Sequence, residues 1–133
     1  MLYRNLLVTI GGRFMDNKKE LPLCPVATTL GLIGNKWKIL ILRELLSGTK
    51  RFGELRSGIP GISQKVLTQN LRSMEEDGII QRLVYAEVPP RVEYFLSDLG
   101  NTLRPIIDVM AEWGLGYQAM VKKNLYETEK MDV

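Results

Sequence analysis

The chain has 133 residues, 45% hydrophobic and 25% charged, the balance of one globular domain long enough to bury its own core. Its 18 Lys and Arg outnumber its 15 Asp and Glu, for a net charge of +3 and a pI near 9.1, a mild basicity that permits nucleic-acid binding and leaves the argument to where the charges sit. There is no histidine and only one cysteine, Cys24, so a Ser-His-Asp triad, a His-based zinc site, a histidine general base and an intrachain disulfide are all excluded.

Residues 1–23 are weakly patterned and read as an N-terminal extension. Leu6, Leu7, Val8 and Ile10 suit a short strand or helix, broken by Gly11-Gly12. This apolar run is too short for a signal-peptide core, and no segment approaches the roughly 20 apolar residues of a membrane span. A cytoplasmic protein is expected.

Pro25 suits the first turn of a helix, where its missing N–H costs nothing. A first helix is predicted from about Val26 to Ile33, ended by Gly34-Asn35. A second follows over Lys36 to Ser47, with Trp37, Leu40, Ile41 and Leu45 on one apolar face. Gly48 closes it, and Phe52 to Ser57 forms a third, short helix. Gly58-Ile59-Pro60-Gly61 must be a turn, because Pro and two glycines suit no helix interior. Ser63 is a good N-cap for a fourth helix that runs to about Asp77 and stops at Gly78.

On that fourth helix Leu67, Leu71 and Met74 point to the core, whereas Lys65, Gln69 and Arg72 point outward, with Thr68 on the flank and Gln64 in the first turn. Arg and Lys donate to guanine, Gln pairs with adenine, and Thr offers a hydroxyl and a methyl, so this face has the chemistry of a major-groove reader. The charge is polarised: Lys65 lies near the start and Glu75-Glu76-Asp77 at the end, so the helix is expected to enter a groove by its N-terminal half. A solvated polar face is the competing interpretation. Context favours a binding surface: Lys50, Arg51 and Arg56 are expected on the preceding helix, and a hairpin of Ile80 to Ala86 and Arg91 to Leu96 follows, carrying Arg82 and Arg91 around a stiff Val88-Pro89-Pro90 tip. Arg91 is placed to reach a phosphate or a minor groove; its alternative role is a surface ion pair with Glu87 or Glu93, of small energetic value.

A last long helix is predicted from Ser97-Asp98, with Pro105 as a kink near its start. Leu99, Leu103, Ile106, Met110, Trp113, Tyr117 and Met120 recur at alternating spacings of four and three. That heptad-like stripe suits pairing with a second copy, and Trp and Tyr are common interface anchors; packing within the domain is the alternative.

Three blocks, CPVATTLGLIGNKWKILILREL (Cys24 to Leu45), RFGELRSGIPGISQKVLTQNLRSMEEDGII (Arg51 to Ile80) and VPPRVEYFLSDLG (Val88 to Gly100), resemble the HxlR-type winged helix-turn-helix regulators of the MarR superfamily. The resemblance covers about Cys24 to Met120. The family often has Gly where Asn35 stands, a departure that Asn's tolerance of left-handed geometry makes minor. The resemblance implies a mainly α fold with a small β-hairpin wing, and a homodimeric transcription regulator on a pseudo-palindromic operator in double-stranded DNA. It puts the helix from Ser63 in the major groove and Val88 to Arg91, including Pro89 and Pro90, at the wing tip. Residues 24–125 then form the DNA-binding domain with its dimerisation helix, and 126–133 a tail.

In this family a cysteine matching Cys24 serves some members as a sensor of oxidants or electrophiles. A thiolate at a helix start is stabilised by free N–H groups and the dipole; a small buried packing residue is the competing role, and the more usual one for a free cysteine. MarR relatives also hold small-molecule effectors, though nothing here names a ligand. A winged-helix module that binds protein instead of DNA is the second functional reading. Catalysis is the third and least supported: there is no Walker A sequence, no dinucleotide glycine fingerprint, no histidine and no visible partner to activate Cys24. No cofactor and no metal are expected.

Overall fold

A computed structural model describes residues 20–131. The predicted element at Leu6 to Ile10, like most of the 1–23 extension, lies outside the described residues. The chain divides into two compact units between Leu103 and Arg104, a boundary inside the 24–125 domain expected from sequence.

In the first unit α1 (Pro25–Ile33) starts at Pro25 and ends where the Gly34 N–H donates to the Leu30 carbonyl at 2.8 Å. Asn35 then caps α2 (Lys36–Leu46), its side-chain oxygen accepting from the Lys38 N–H at 2.8 Å. Ile41, Leu42 and Leu45 of α2 are buried, while Trp37 and Leu40 are half-buried. The buried face is therefore centred one residue off the predicted stripe, because α2 packs on α3, α4 and the sheet rather than on one neighbour.

Lys50 and Arg51 form a strand, β1 (Lys50–Arg51), opposite Tyr94 and Glu93. This corrects their expected place on the preceding helix: two residues carry no periodic signal, and they become a strand only by pairing with a distant edge. The Arg51 N–H donates to Glu54 at 3.0 Å, which starts α3 (Phe52–Gly58). Leu55 of α3 and Ile59 and Ile62 of the following turn are buried.

Ser63 accepts from the Val66 N–H at 3.1 Å and opens α4 (Gln64–Glu76). Its end is a Schellman closure. The Gly78 N–H donates to Glu75 at 3.0 Å and the Ile79 N–H to Met74 at 2.9 Å, with Gly78 at φ 77°, a conformation glycine reaches without strain. Strands β2 (Ile80–Tyr85) and β3 (Arg91–Leu96) follow as an antiparallel hairpin, giving a three-stranded sheet in the order β1-β3-β2. Leu67, Leu71, Met74, Ile79, Ile80 and Leu96 complete a core shared by α2, α3, α4 and the sheet.

Ser97 caps α5 (Asp98–Asn101) and joins it to the exit of α4. Its hydroxyl lies 2.5 Å from the Gly78 carbonyl and 2.9 Å from that of Ile79, and it accepts from the Gly100 N–H at 3.0 Å. Gly100 tolerates no side chain, since a Cβ would sit 2.2 Å from the Ile79 carbonyl oxygen.

The single long helix expected from Ser97 is two helices. α5 stops at Asn101, and α6 (Arg104–Met131) begins afresh with Pro105 in its first turn. In a continuous helix Pro105 would offer no N–H to the Asn101 carbonyl and its ring would clash with that oxygen, so proline breaks the helix where only a kink was predicted. Leu99 and Leu103 are thereby separated from the rest of the heptad stripe. α6 forms the second unit and, at about 1.5 Å per residue, is roughly 42 Å long. It continues through residues 126–131, expected as tail.

Candidate nucleic-acid interface

α4 presents two chemically different faces because its apolar residues recur at helical spacing. Leu67, Asn70, Leu71 and Met74 are buried, whereas Gln64, Lys65, Gln69 and Arg72 are exposed and Thr68 is half-buried on the flank. Ser63 is exposed at the helix start. The basic and amide groups are thus all open to solvent, and the buried polar Asn70 is the exception on the core side.

The acidic end of α4 is partly neutralised from the wing. Arg82 of β2 places its Nε 3.5 Å from Glu75. Around the other flank, Arg56 is exposed on α3 while Lys50 and Arg51 lie on β1. β1 and the start of α3 bring Arg51 and Phe52 beside the wing tip, where they line a cleft of about 460 Å³ with Glu87, Val88, Pro89, Pro90 and Arg91. Val88, Pro89 and Pro90 are exposed.

Arg91 makes both of the ion pairs anticipated for it. It lies 3.1 Å from Glu87 and 3.7 Å from Glu93, and its guanidinium stacks 3.9 Å over the Tyr85 ring. Its charge is therefore engaged inside the wing in the free protein, and contact with a phosphate requires exchange with Glu87 or Glu93. A hydrogen bond to Glu93 is the main cause that raises the Tyr85 phenol above its ordinary pKa, and burial is the main cause for Tyr94. Both phenols are neutral at physiological pH, so arginine and glutamate set the wing's charge.

Two side-chain bonds between α2 and α4 escape the sequence reading. Asn35 Nδ2 donates to Asn70 Oδ1 at 3.0 Å, and Lys38 Nζ donates to Ser73 Oγ at 2.9 Å. The available signal was a polar Asn70 amid core positions of α4.

α6 exposes much of its apolar surface. Ile106, Met110, Trp113, Tyr117 and Met120 are all at least 40% exposed, and the Trp113 and Tyr117 rings stack with centroids 5.6 Å apart. These two line an open cleft of about 540 Å³ with Val109, Glu112, Gly116 and Met120. Cys24, at the N-cap of α1, is exposed. The more usual buried role weighed for it does not hold, because the only buried residue of α1 is Ile33. Among the described residues no group of His, Cys, Asp and Glu is placed to hold a metal ion, and no helix is long and apolar enough to cross a membrane.

A family model described as HxlR-like helix-turn-helix matches residues 32–122. The chain belongs to the HxlR-like family. It is 50% identical over 100 residues to the HTH-type transcriptional regulator YdeP of Bacillus subtilis (strain 168), covering 75% of this chain and 78% of that protein. An HTH-type regulator of Methanothermobacter thermautotrophicus is 48% identical over 95 residues, 71% of this chain and 72% of its own length. Among solved structures, the redox regulator HypR in its reduced form matches with a TM-score of 0.71 at 45% identity, over 75% of this chain and 99% of that one. Its oxidized form matches at 0.68 and 49%, over 70% and 96%. This HxlR-like protein is thus a winged helix-turn-helix transcriptional regulator and not an enzyme. In that frame α3 and α4 are the helix-turn-helix, and β2 and β3 are the wing.

Proposed function

We propose that the protein binds duplex DNA sequence-specifically, as a homodimer on a pseudo-palindromic operator. The observation that carries this reading is the exposed face of α4, with Gln64, Lys65, Gln69 and Arg72 open to solvent and the acids confined to the far end. Thr68 and the Ser63 cap complete that surface. Lys50, Arg51, Arg56 and the wing residues Arg82, Pro89, Pro90 and Arg91 flank it as backbone contacts. One winged unit covers a half-site, and two half-sites lie about 34 Å apart or a multiple of it. The stripe on α6 supplies the seam for the second copy. Leu99 and Leu103, on the other side of the helix break, belong to the seam only if it extends past Pro105.

The test is fluorescence anisotropy with a labelled duplex from upstream of the protein's own gene, competed with random duplex at two salt concentrations. Tight binding that survives the competitor, with an affinity that falls steeply with salt, is expected. No binding at low salt by a folded dimer would instead assign the winged unit to protein recognition. Arg72→Ala is expected to weaken operator binding by about 1–3 kcal/mol if Arg72 reads a base. An equal loss on unrelated DNA would make it a phosphate contact.

Cys24 is the group through which the regulator responds to oxidants in this reading, supported by its exposure and by the likeness to a protein named a redox regulator. With one cysteine per chain, any disulfide joins Cys24 to a second copy or to a small thiol. Two thiols then give up two protons and two electrons, and diamide accepts them to become its hydrazine. Diamide is expected to release DNA from the wild type and leave Cys24→Ser bound. Equal release from both would remove Cys24 from the response.

A further inference from the structure

The two bonds from α2 to α4 form a pair of parallel rungs. On α4 they end at Asn70 and Ser73, and on the other side they start at Asn35, the N-cap of α2, and at Lys38 within α2, three residues apart in each case. Three residues are about 4.5 Å of helical rise, so the rungs sit one above the other along the contact.

Each end of the first rung is fixed by a second bond. Asn35 Oδ1 accepts from the Lys38 N–H at 2.8 Å, and Asn70 Nδ2 donates to the Val66 carbonyl at 2.8 Å. Both amides are thus oriented, and Asn70, 9% exposed, is enclosed among core residues. The apolar contacts of Leu67, Leu71 and Met74 hold α4 against the core, but hydrophobic attraction is non-directional. Hydrogen bonds weaken steeply when misaligned. Turning α4 forward by one residue rotates each side chain by about 100° and shifts it about 1.5 Å, which breaks both rungs together.

Each rung lies next in sequence to an outward side chain, Asn70 beside Gln69 and Ser73 beside Arg72. Reading a base edge demands placement within roughly 0.5 Å. We propose that the Asn35–Asn70 and Lys38–Ser73 rungs set the pitch of α4 and so determine sequence discrimination, as positioning residues that touch no base. This rests on the DNA-binding reading above.

The double variant Asn35→Ser/Ser73→Ala tests it. Serine keeps the N-cap of α2 but is too short to reach Asn70, and neither change alters net charge. The probes are a duplex selected from a random library by the wild-type protein and an unselected random duplex, measured at one salt concentration. The ratio of the two affinities is expected to fall about tenfold, the size of one lost base contact, with random-duplex affinity and its salt slope unchanged. Ser73→Thr keeps the hydroxyl and is expected to keep the ratio.

A folded double variant that discriminates as well as the wild type overturns the proposal, as does an equal loss on both duplexes, which marks general weakening. If the double variant melts below the assay temperature, Ser73→Ala alone decides, with a smaller loss of the same ratio expected and an unchanged ratio overturning the rungs. A wild type that enriches no sequence from the library overturns the DNA-binding reading itself, and the rungs' role with it.

Discussion

Leu67→Ala is expected to destabilise the protein by about 2–5 kcal/mol, whereas Gln69→Ala, two residues along the same helix, changes stability by less than about 0.5 kcal/mol. Leu67 is fully buried, so truncation removes its transfer energy and leaves a cavity that the close-packed core around it fills only in part. Gln69 is exposed. Operator affinity should respond the other way. Gln69→Ala loses about 1–3 kcal/mol if its amide pairs with adenine, and Leu67→Ala retains affinity in whatever fraction stays folded. Urea denaturation at one fixed protein concentration measures the first quantity, because the apparent stability of any self-associating protein depends on concentration. Anisotropy measures the second. A Gln69→Ala protein that binds operator like the wild type would mean that this face is not the reading face.

That contrast was legible in the sequence because α4 is bounded by strong local signals. Ser63 caps it, Gly78 closes it, and Leu67, Leu71 and Met74 recur at helical spacing between them. The hairpin was equally legible, its strand ends falling within a residue of those observed, because β-branched and aromatic runs flank a Pro-Pro tip. What escaped depends on partners distant in sequence. β1 is two residues long and exists through Tyr94 and Glu93. Leu42 is buried because α2 is covered from more than one direction, which one apolar stripe does not reveal. Asn70 looked like an ordinary polar residue until Asn35, 35 positions earlier, met it. The Pro105 signal was visible, yet whether a proline kinks a helix or ends it depends on whether the Asn101 carbonyl finds another partner, and α5 ends there with its own closing turn instead. The exposure of Cys24 was likewise hidden, since it follows from how little of α1 the core covers.

Trp113→Ala is expected to convert the protein from dimer to monomer at low micromolar concentration and to abolish tight operator binding as a consequence. The side chain is 71% exposed, and it stacks on a Tyr117 that is itself 52% exposed. A large indole held against a second ring in open water gains little for one chain alone. It presents the rigid aromatic area that dominates interface energetics, where truncation of an anchor costs about 2 kcal/mol or more, roughly thirtyfold in dissociation constant. Contiguous apolar exposure of this kind marks an interaction surface, and Met110 and Met120 extend it along α6 in both directions. Because Trp113 lies outside the unit that ends at Leu103, the winged unit should keep its circular dichroism and its weak, salt-dependent affinity for random duplex. Only the cooperation of two half-sites is lost. Light scattering of wild type and variant across a concentration series separates the possibilities. A wild type that is monomeric at micromolar concentration removes the dimer from the mechanism, and a Trp113→Ala protein that remains a dimer moves the seam away from this stripe.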